Sequence, residues 1–436
     1  MRRSAFFFML AAFLLVTGCA GQSSTANTPP TTTPSVSPTP TLPNGDYAFI
    51  RNGDIWAHTG NGPAHALTQL HLSAVSALWG SMIWSPDHMT LAFVLNAPPF
   101  AAGFTALNPA QDTGTLFTVN VASDKLSVVD TSGAATVPLM GQHVAWLHNS
   151  DATNTLLFTH NGAVEQFTAN TTGPSVLAGP QNVWEIAVRG TTLFYSTLTH
   201  IVSTTGAGMA ELHSFDLTTH KDVFITKLGA ATLPSLLCGG VICPPDPSTP
   251  AVPYAWAASA DGSLIAYQTT ISPASNPTPT PAPSRIPSPT PTHAAALVAL
   301  VPATTPPPAF PNSFYVAQRD GSKAQVIFAD VPALPGLVAL AFSPDGRNLA
   351  LSVTTPNAAP YGPFVQPVGA TGTAQTYPAT NTAYAGNPSW SPDSQGFSLT
   401  AYVSGTSAPT LGITTFLLDG QDAMLEQNGA QLVWGQ

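Results

Sequence analysis

One unit recurs through this chain and narrows the folds open to it: an apolar strand, a Ser-Pro-Asp turn, then a second apolar strand. Trp84-Ser85-Pro86-Asp87 leads into Leu91-Ala92-Phe93-Val94, Phe342-Ser343-Pro344-Asp345-Gly346 into Leu349-Ala350-Leu351, and Trp390-Ser391-Pro392-Asp393 into Phe397-Ser398-Leu399. A worn copy, Ala258-Ser259-Ala260-Asp261-Gly262, precedes Leu264-Ile265-Ala266-Tyr267. Proline presets φ at about −65° for the first turn position, and Asp hydrogen-bonds back to the local backbone. Gly accepts the positive φ that a tight hairpin needs. The flanking runs are apolar on both faces, the pattern of a strand sandwiched between neighbouring sheets.

A third strand follows in each repeat, as at Asp54-Ile55-Trp56, Leu116-Phe117-Thr118-Val119, Phe314-Tyr315-Val316 and Thr415-Phe416-Leu417. A short fourth follows that, as at Ala66-Leu67-Thr68 and Val326-Ile327-Phe328. Four antiparallel strands per unit, with units roughly 40 to 50 residues apart, make a propeller blade. The innermost strands read as Met82-Ile83-Trp84, Val144-Ala145-Trp146, Trp184-Glu185-Ile186, Tyr254-Ala255-Trp256, Leu340-Ala341-Phe342, Ser389-Trp390 and Leu432-Val433-Trp434, which makes seven blades; the third and fourth lack the Ser-Pro-Asp turn, and six or eight are the alternative counts. The last of these begins a blade that the chain does not complete, whereas Tyr47-Ala48-Phe49-Ile50 opens on a second strand. Together they predict an all-β propeller closed by N-terminal strands pairing with the C-terminal strand, which leaves no weak seam in the ring.

Tyr47 to Thr68, with Arg51-Asn52-Gly53-Asp54-Ile55-Trp56 and Leu67-Thr68, together with the three Ser-Pro-Asp copies, resembles the TolB-like repeat family of WD-repeat-like propellers. The resemblance covers residues 45–436 and implies the propeller fold and an extracytoplasmic setting. It does not carry the role of TolB itself, which has an additional N-terminal domain and no comparable acyl anchor.

The first residues carry an address. Arg2 and Arg3 form a positive n-region, and Ala5 to Val16 is a continuous apolar run too short for a comfortable membrane span. Val16-Thr17-Gly18-Cys19 resembles the lipobox of bacterial lipoproteins, which implies a signal peptide over 1–18 and a lipidated Cys19. Two acyl chains anchor a protein stably where one does not. Residues 19–44 are nearly all Ser, Thr, Pro, Ala and Asn after the cysteine, a disordered stalk that reaches roughly 70 Å at the polyproline rise.

Composition limits the partners. Only 7% of residues are charged, against about 25% in ordinary soluble domains, and the formal net charge is −10 with 11 Lys plus Arg. A phosphate backbone needs clustered cations, so nucleic acid is excluded. Cys238 and Cys243 flank Gly239-Gly240 and read first as a disulfide-closed loop worth about 2 kcal/mol; free thiols or a metal pair are the alternatives. A Pro, Thr and Ala-rich tract over 272–311 interrupts the fifth blade between its second and third strands.

Catalytic motifs are missing. There is no Gly-x-Ser-x-Gly elbow and no His-Glu-x-x-His, and the Ser and Asp of each turn are hairpin neighbours rather than members of a triad. His143, His148 and His160 fall in one blade and His213 with His220 in the next, read as surface or strand histidines rather than metal ligands. Trp84, Trp146, Trp184, Trp256, Trp390 and Trp434 recur on innermost strands and read as blade packing. The expectation is therefore a monomeric, non-enzymatic binding or scaffold module without a cofactor, held to the membrane through acylated Cys19 and serving a protein or glycan partner. The alternative is an enzyme or solute-binding protein of the propeller lyase or glycosidase type, which requires polar side chains converging at one channel mouth.

Overall fold

The computed structural model describes residues 42–60, 62–70, 79–96, 114–130, 143–160, 162–168, 171, 173–201, 207–232, 254–271, 312–331, 337–354, 362–369, 374–377, 382–403 and 410–435. The signal peptide, Cys19, the stalk up to residue 41, Cys238, Cys243 and the 272–311 tract lie outside the described residues.

Seven antiparallel four-stranded sheets form a ring, a β-propeller, and among the described residues there is no helix. Blade 1 runs outward as β28 (Gly429–Trp434), β1 (Tyr47–Arg51), β2 (Asp54–His58) and β3 (His65–Ala66). Blade 2 holds β4 (Trp79–Trp84), β5 (Thr90–Asn96), β6 (Gly114–Asn120) and β7 (Lys125–Asp130). Blade 3 holds β8 (Val144–His148), β9 (Asn154–His160), β10 (Ala163–Thr168) and β11 (Ser175–Gln181). Blade 4 holds β12 (Val183–Arg189), β13 (Thr192–Thr199), β14 (Ala207–Asp216) and β15 (Asp222–Thr232). Blade 5 holds β16 (Trp256–Ala258), β17 (Leu264–Thr269), β18 (Asn312–Gln318) and β19 (Gln325–Val331). Blade 6 holds β20 (Leu337–Phe342), β21 (Asn348–Thr354), β22 (Phe364–Pro367) and β23 (Gln375–Thr376). Blade 7 holds β24 (Thr382–Trp390), β25 (Gly396–Val403), β26 (Thr410–Leu417) and β27 (Asp422–Gln427).

The termini meet as the sequence predicts: Tyr47 pairs with Trp434 and Ala48 with Val433. The seven innermost strands are the expected ones, except that Tyr254 and Ala255 precede β16 rather than belong to it. In blade 5, Leu264 pairs with Gln318 and Thr269 with Ser313, joining β17 to β18 across the interruption. The apolar-on-both-faces pattern has a direct cause. Each blade packs both faces against neighbours, so the core is divided among the interfaces between blades. Ala48, Ile55, Leu91 and Phe93 fill the interface of blades 1 and 2, for example, and Phe194, Leu212, Ile265 and Tyr267 that of blades 4 and 5.

Strand direction gives the ring two unlike faces. First-to-second and third-to-fourth connections leave one of them, here the turn face, by tight hairpins such as Ser85–Met89 and Leu217–Lys221. Second-to-third and blade-to-blade connections leave the other, the loop face. The strand ends that bound residues 97–113, 233–253 and 272–311 all lie there.

Candidate functional site

The Ser-Pro-Asp turns are on the turn face, and their polar atoms are used up within the hairpin. Ser85, Ser259, Ser343 and Ser391 are each at most 1% exposed and donate to Asp87, Asp261, Asp345 and Asp393 Oδ1 at 2.5–2.6 Å. The same hydroxyls accept from the backbone N–H of Thr90, Leu264, Asn348 and Gly396 at 2.9–3.2 Å. Each Asp then accepts the N–H two residues on, at 3.0 Å. The Ser259 hydroxyl is the main reason that the Asp261 carboxyl sits below its ordinary value. A positive φ closes every turn, at Gly262 and Gly346 as anticipated but at His88 and Ser394 in the other two copies.

These turns also touch across blades. Asn154 Nδ2 donates to Asp87 Oδ2 at 2.8 Å, Arg189 Nε to the Ser259 carbonyl at 3.1 Å, and Asp345 N–H to Ser394 Oγ at 3.1 Å. A buried hydroxyl occupied as donor and acceptor serves the fold rather than chemistry. Ser391→Ala is accordingly expected to lower the unfolding free energy by about 2 kcal/mol, because a charge-assisted bond and a buried N–H partner are lost together. Urea denaturation measures this, and a change under about 0.5 kcal/mol, the range of ordinary surface substitutions, speaks against the assigned role.

Four of the six tryptophans latch one blade to the one before it. Trp84 Nε1 donates to the Val433 carbonyl at 3.2 Å, Trp146 to Ile83 at 3.3 Å and Trp390 to Ala341 at 2.9 Å, each acceptor lying on the preceding innermost strand. Trp434 donates to Ser398 Oγ at 3.2 Å in blade 7. Trp184 and Trp256 depart from the packing expectation. Both stand at the loop-face start of their strands, and both indole N–H groups are buried without a hydrogen-bond partner.

Around them is a polar cluster that no sequence motif marks. The seven innermost strands contain one carboxylate, Glu185, and one cation, Arg189. Glu185 pairs with Ser196, and Ser196 with Leu212. That row lies on the same face of blade 4 as Phe194 and Leu198, against Tyr267 and Trp256 of blade 5. Glu185 is 7% exposed, and burial pushes its carboxyl from 4.5 up to about 8. Trp256 Nε1 faces it and offsets part of that rise without closing a full hydrogen bond. Ser196, 5% exposed, has a buried Oγ with no partner.

A β-bulge falls at Trp184, where pairing steps from Val183–Thr197 to Glu185–Ser196. Bulges re-aim side chains and often flank functional sites. The Trp184 ring meets the His143 ring edge-on at 6.4 Å, and the His143 imidazole also bonds to the Trp184 carbonyl. Burial pushes His143 down to about 4, so it is neutral at physiological pH. The signal in the sequence was a solitary carboxylate in a class of strands otherwise free of them.

The remaining histidines are dispersed. His148 Nδ1 bonds Asn154 at 2.9 Å, and His160 Nδ1 bonds Glu165 at 2.9 Å. His213 Nδ1 meets Asp222 at 3.0 Å, with Nε2 at 3.5 Å from Glu211. His220 lies edge-on to Phe215. Among the described residues no group of three or more His, Cys, Asp or Glu side chains is placed to hold a metal ion.

No family model matches the chain, and no curated protein does. Solved structures of similar shape include a quinonprotein alcohol dehydrogenase-like protein from Bacteroides thetaiotaomicron, at TM-score 0.46 and 7% identity over 90% of this chain and 78% of that one. An oligogalacturonate lyase in complex with manganese follows at TM-score 0.45 and 12% identity, over 84% and 82%. A functionally unknown protein from Desulfotomaculum acetoxidans has TM-score 0.45 and 9% identity, over 90% and 100%. At these identities and scores the likenesses carry no argument about activity.

Proposed function

We propose that this chain is a lipid-anchored, extracytoplasmic binding module of TolB-like type, monomeric and non-enzymatic, whose propeller presents its loop face to a protein or glycan partner in the cell envelope. Cys19 carries the acyl anchor, residues 19–44 act as the stalk, and Cys238 with Cys243 closes a loop by a disulfide.

The distribution of charge carries this reading. Hairpins of the turn face hold Asp87, Asp124, Asp151, Asp261, Asp320, Asp345, Asp393 and Asp419, together with Lys221, Arg319, Lys323 and Arg347. Residues 71–78, 97–113, 131–142, 202–206, 233–253, 272–311, 332–336, 355–361, 378–381 and 404–409, all bounded by loop-face strand ends, hold just three charged residues: Asp112, Asp246 and Arg285. Depletion of charge marks the core of recognition surfaces, whereas a charged face stays solvated. Glycosidic cleavage uses a pair of carboxyl groups, and the innermost strands supply Glu185 alone.

Two measurements test it. Full chain grown with an alkyne fatty acid is expected to be labelled and to sediment with membranes, and Cys19→Ala to lose both properties. Equal labelling of that variant removes the anchor. Photo-crosslinkers placed at Thr105 and Thr278 are expected to give adducts in intact cells, while Ser123 and Ser322 on the turn face stay clean. Adducts confined to the latter pair overturn the assignment of the face.

A further inference from the structure

We propose that Glu185, Ser196 and Trp256 form a subsite that binds a hydroxyl group of a small neutral polyol or saccharide at the axis-facing edge of the interface between blades 4 and 5. This deepens the binding reading and rests on it for the kind of event, binding without turnover.

Trp256 pairs with Tyr267, and Tyr267 with Tyr315, so an aromatic row crosses blade 5 at one level. The two tyrosine rings stack at 5.7 Å. Facing it is the blade 4 row Glu185, Ser196, Leu212 and Thr226, assembled by three successive pairings. Outward from the axis this seam is closed, because Thr226 meets the Tyr267 hydroxyl. At the axis end it is incomplete: Ser196 Oγ and Trp256 Nε1 are buried with no partner, and the Glu185 carboxyl has only the unclosed approach of that indole. Buried polar groups are nearly always paired, and two exceptions from two blades, Ser196 Oγ and Trp256 Nε1, beside a carboxyl that only the indole approaches, mark a place where a further atom belongs.

The chemistry of that atom follows from what is left over. Trp256 N–H can only donate, so its partner must accept. Ser196 can donate or accept, and a protonated Glu185 carboxyl does both. A hydroxyl oxygen accepts from the indole while its own hydrogen goes to Glu185 or Ser196, which satisfies the set. An ammonium ion cannot accept from the indole, and an anion would meet the carboxyl.

Water and a ligand hydroxyl share this chemistry, and the experiment separates them. Saturation-transfer NMR on the full chain, with methyl β-glucoside and glycerol as probes, is expected to show saturable binding in the millimolar range. Trp256→Phe, which keeps a ring but loses the N–H, and Ser196→Ala are each expected to weaken it about tenfold, the effect of one lost hydrogen bond. Thermal melts confirm that each variant is folded. Absence of saturation with both probes, unchanged affinity in Trp256→Phe and Ser196→Ala, or a soaked crystal with only ordered water at the three groups overturns the proposal. Because no membrane or macromolecular partner is used, this failure is distinct from a failure of the anchor or of the loop-face crosslinks.

Discussion

Deleting residues 429–436 is expected to abolish cooperative unfolding altogether, whereas a chain ending at Trp434 keeps it. The lost strand, β28, touches three blades. It pairs with β1 through Tyr47–Trp434 and Ala48–Val433, and its Val433 carbonyl accepts the Trp84 indole of blade 2. Trp434 N–H and Gln431 N–H donate to Ser389 and Thr400 of blade 7 at 3.0 and 2.8 Å. Trp434 is 2% exposed and meets the Tyr47 ring edge-on at 5.0 Å. Trp434→Ala alone is expected to cost about 3–5 kcal/mol. Removing the whole strand also uncovers Phe49 and Ile413, which exceeds much of the roughly 5–15 kcal/mol that a folded domain has in hand. The Arg51–Glu426 ion pair, which joins blades 1 and 7, cannot replace it: a partly exposed pair is worth roughly 0–1 kcal/mol. Calorimetry decides the matter, and a sharp transition in the truncated chain would mean that the ring does not depend on its closure.

Glu185→Gln is expected to stabilise the protein most at alkaline pH. The folded carboxyl holds its proton up to about 8, whereas the unfolded one releases it near 4.5. Between those values the folded state binds more protons than the unfolded state, so stability falls as pH rises. The full effect is on the order of 5 kcal/mol. His143 acts in the opposite sense, since its folded value of about 4 lies below the ordinary 6.5 and stability rises with pH across that interval. The two slopes oppose each other between 4.5 and 6.5, which leaves Glu185 alone from 6.5 to about 8. Thermal midpoints of the wild-type chain should therefore decline over that last interval, and those of Glu185→Gln should stay level. Parallel curves for the two proteins would refute a buried, proton-holding Glu185.

The architecture was legible because a propeller is written locally. Each Ser-Pro-Asp turn follows from hydrogen bonds spanning five residues, and a strand that packs on both faces is apolar throughout, so Leu91-Ala92-Phe93-Val94 announces its position without any knowledge of its neighbours. Even ring closure, a contact between residues at opposite ends of the chain, could be read, because two incomplete blades have complementary missing strands. The tryptophans show where that reading stops. Trp84 and Trp184 are equally apolar members of innermost strands, yet Trp84 has a carbonyl to bond and Trp184 stands at a bulge with none.

Repeat order, strand count, the turn residues and the pairing of the two ends were set by the sequence alone, since each depends on backbone propensity and side-chain period within a few tens of residues. Only the tertiary structure decided that Glu185 and Ser196 meet Trp256 across two blades. No local pattern encodes which polar atoms lose water together: that depends on how two separate sheets close against one another, and burial then determines their protonation and their want of a partner.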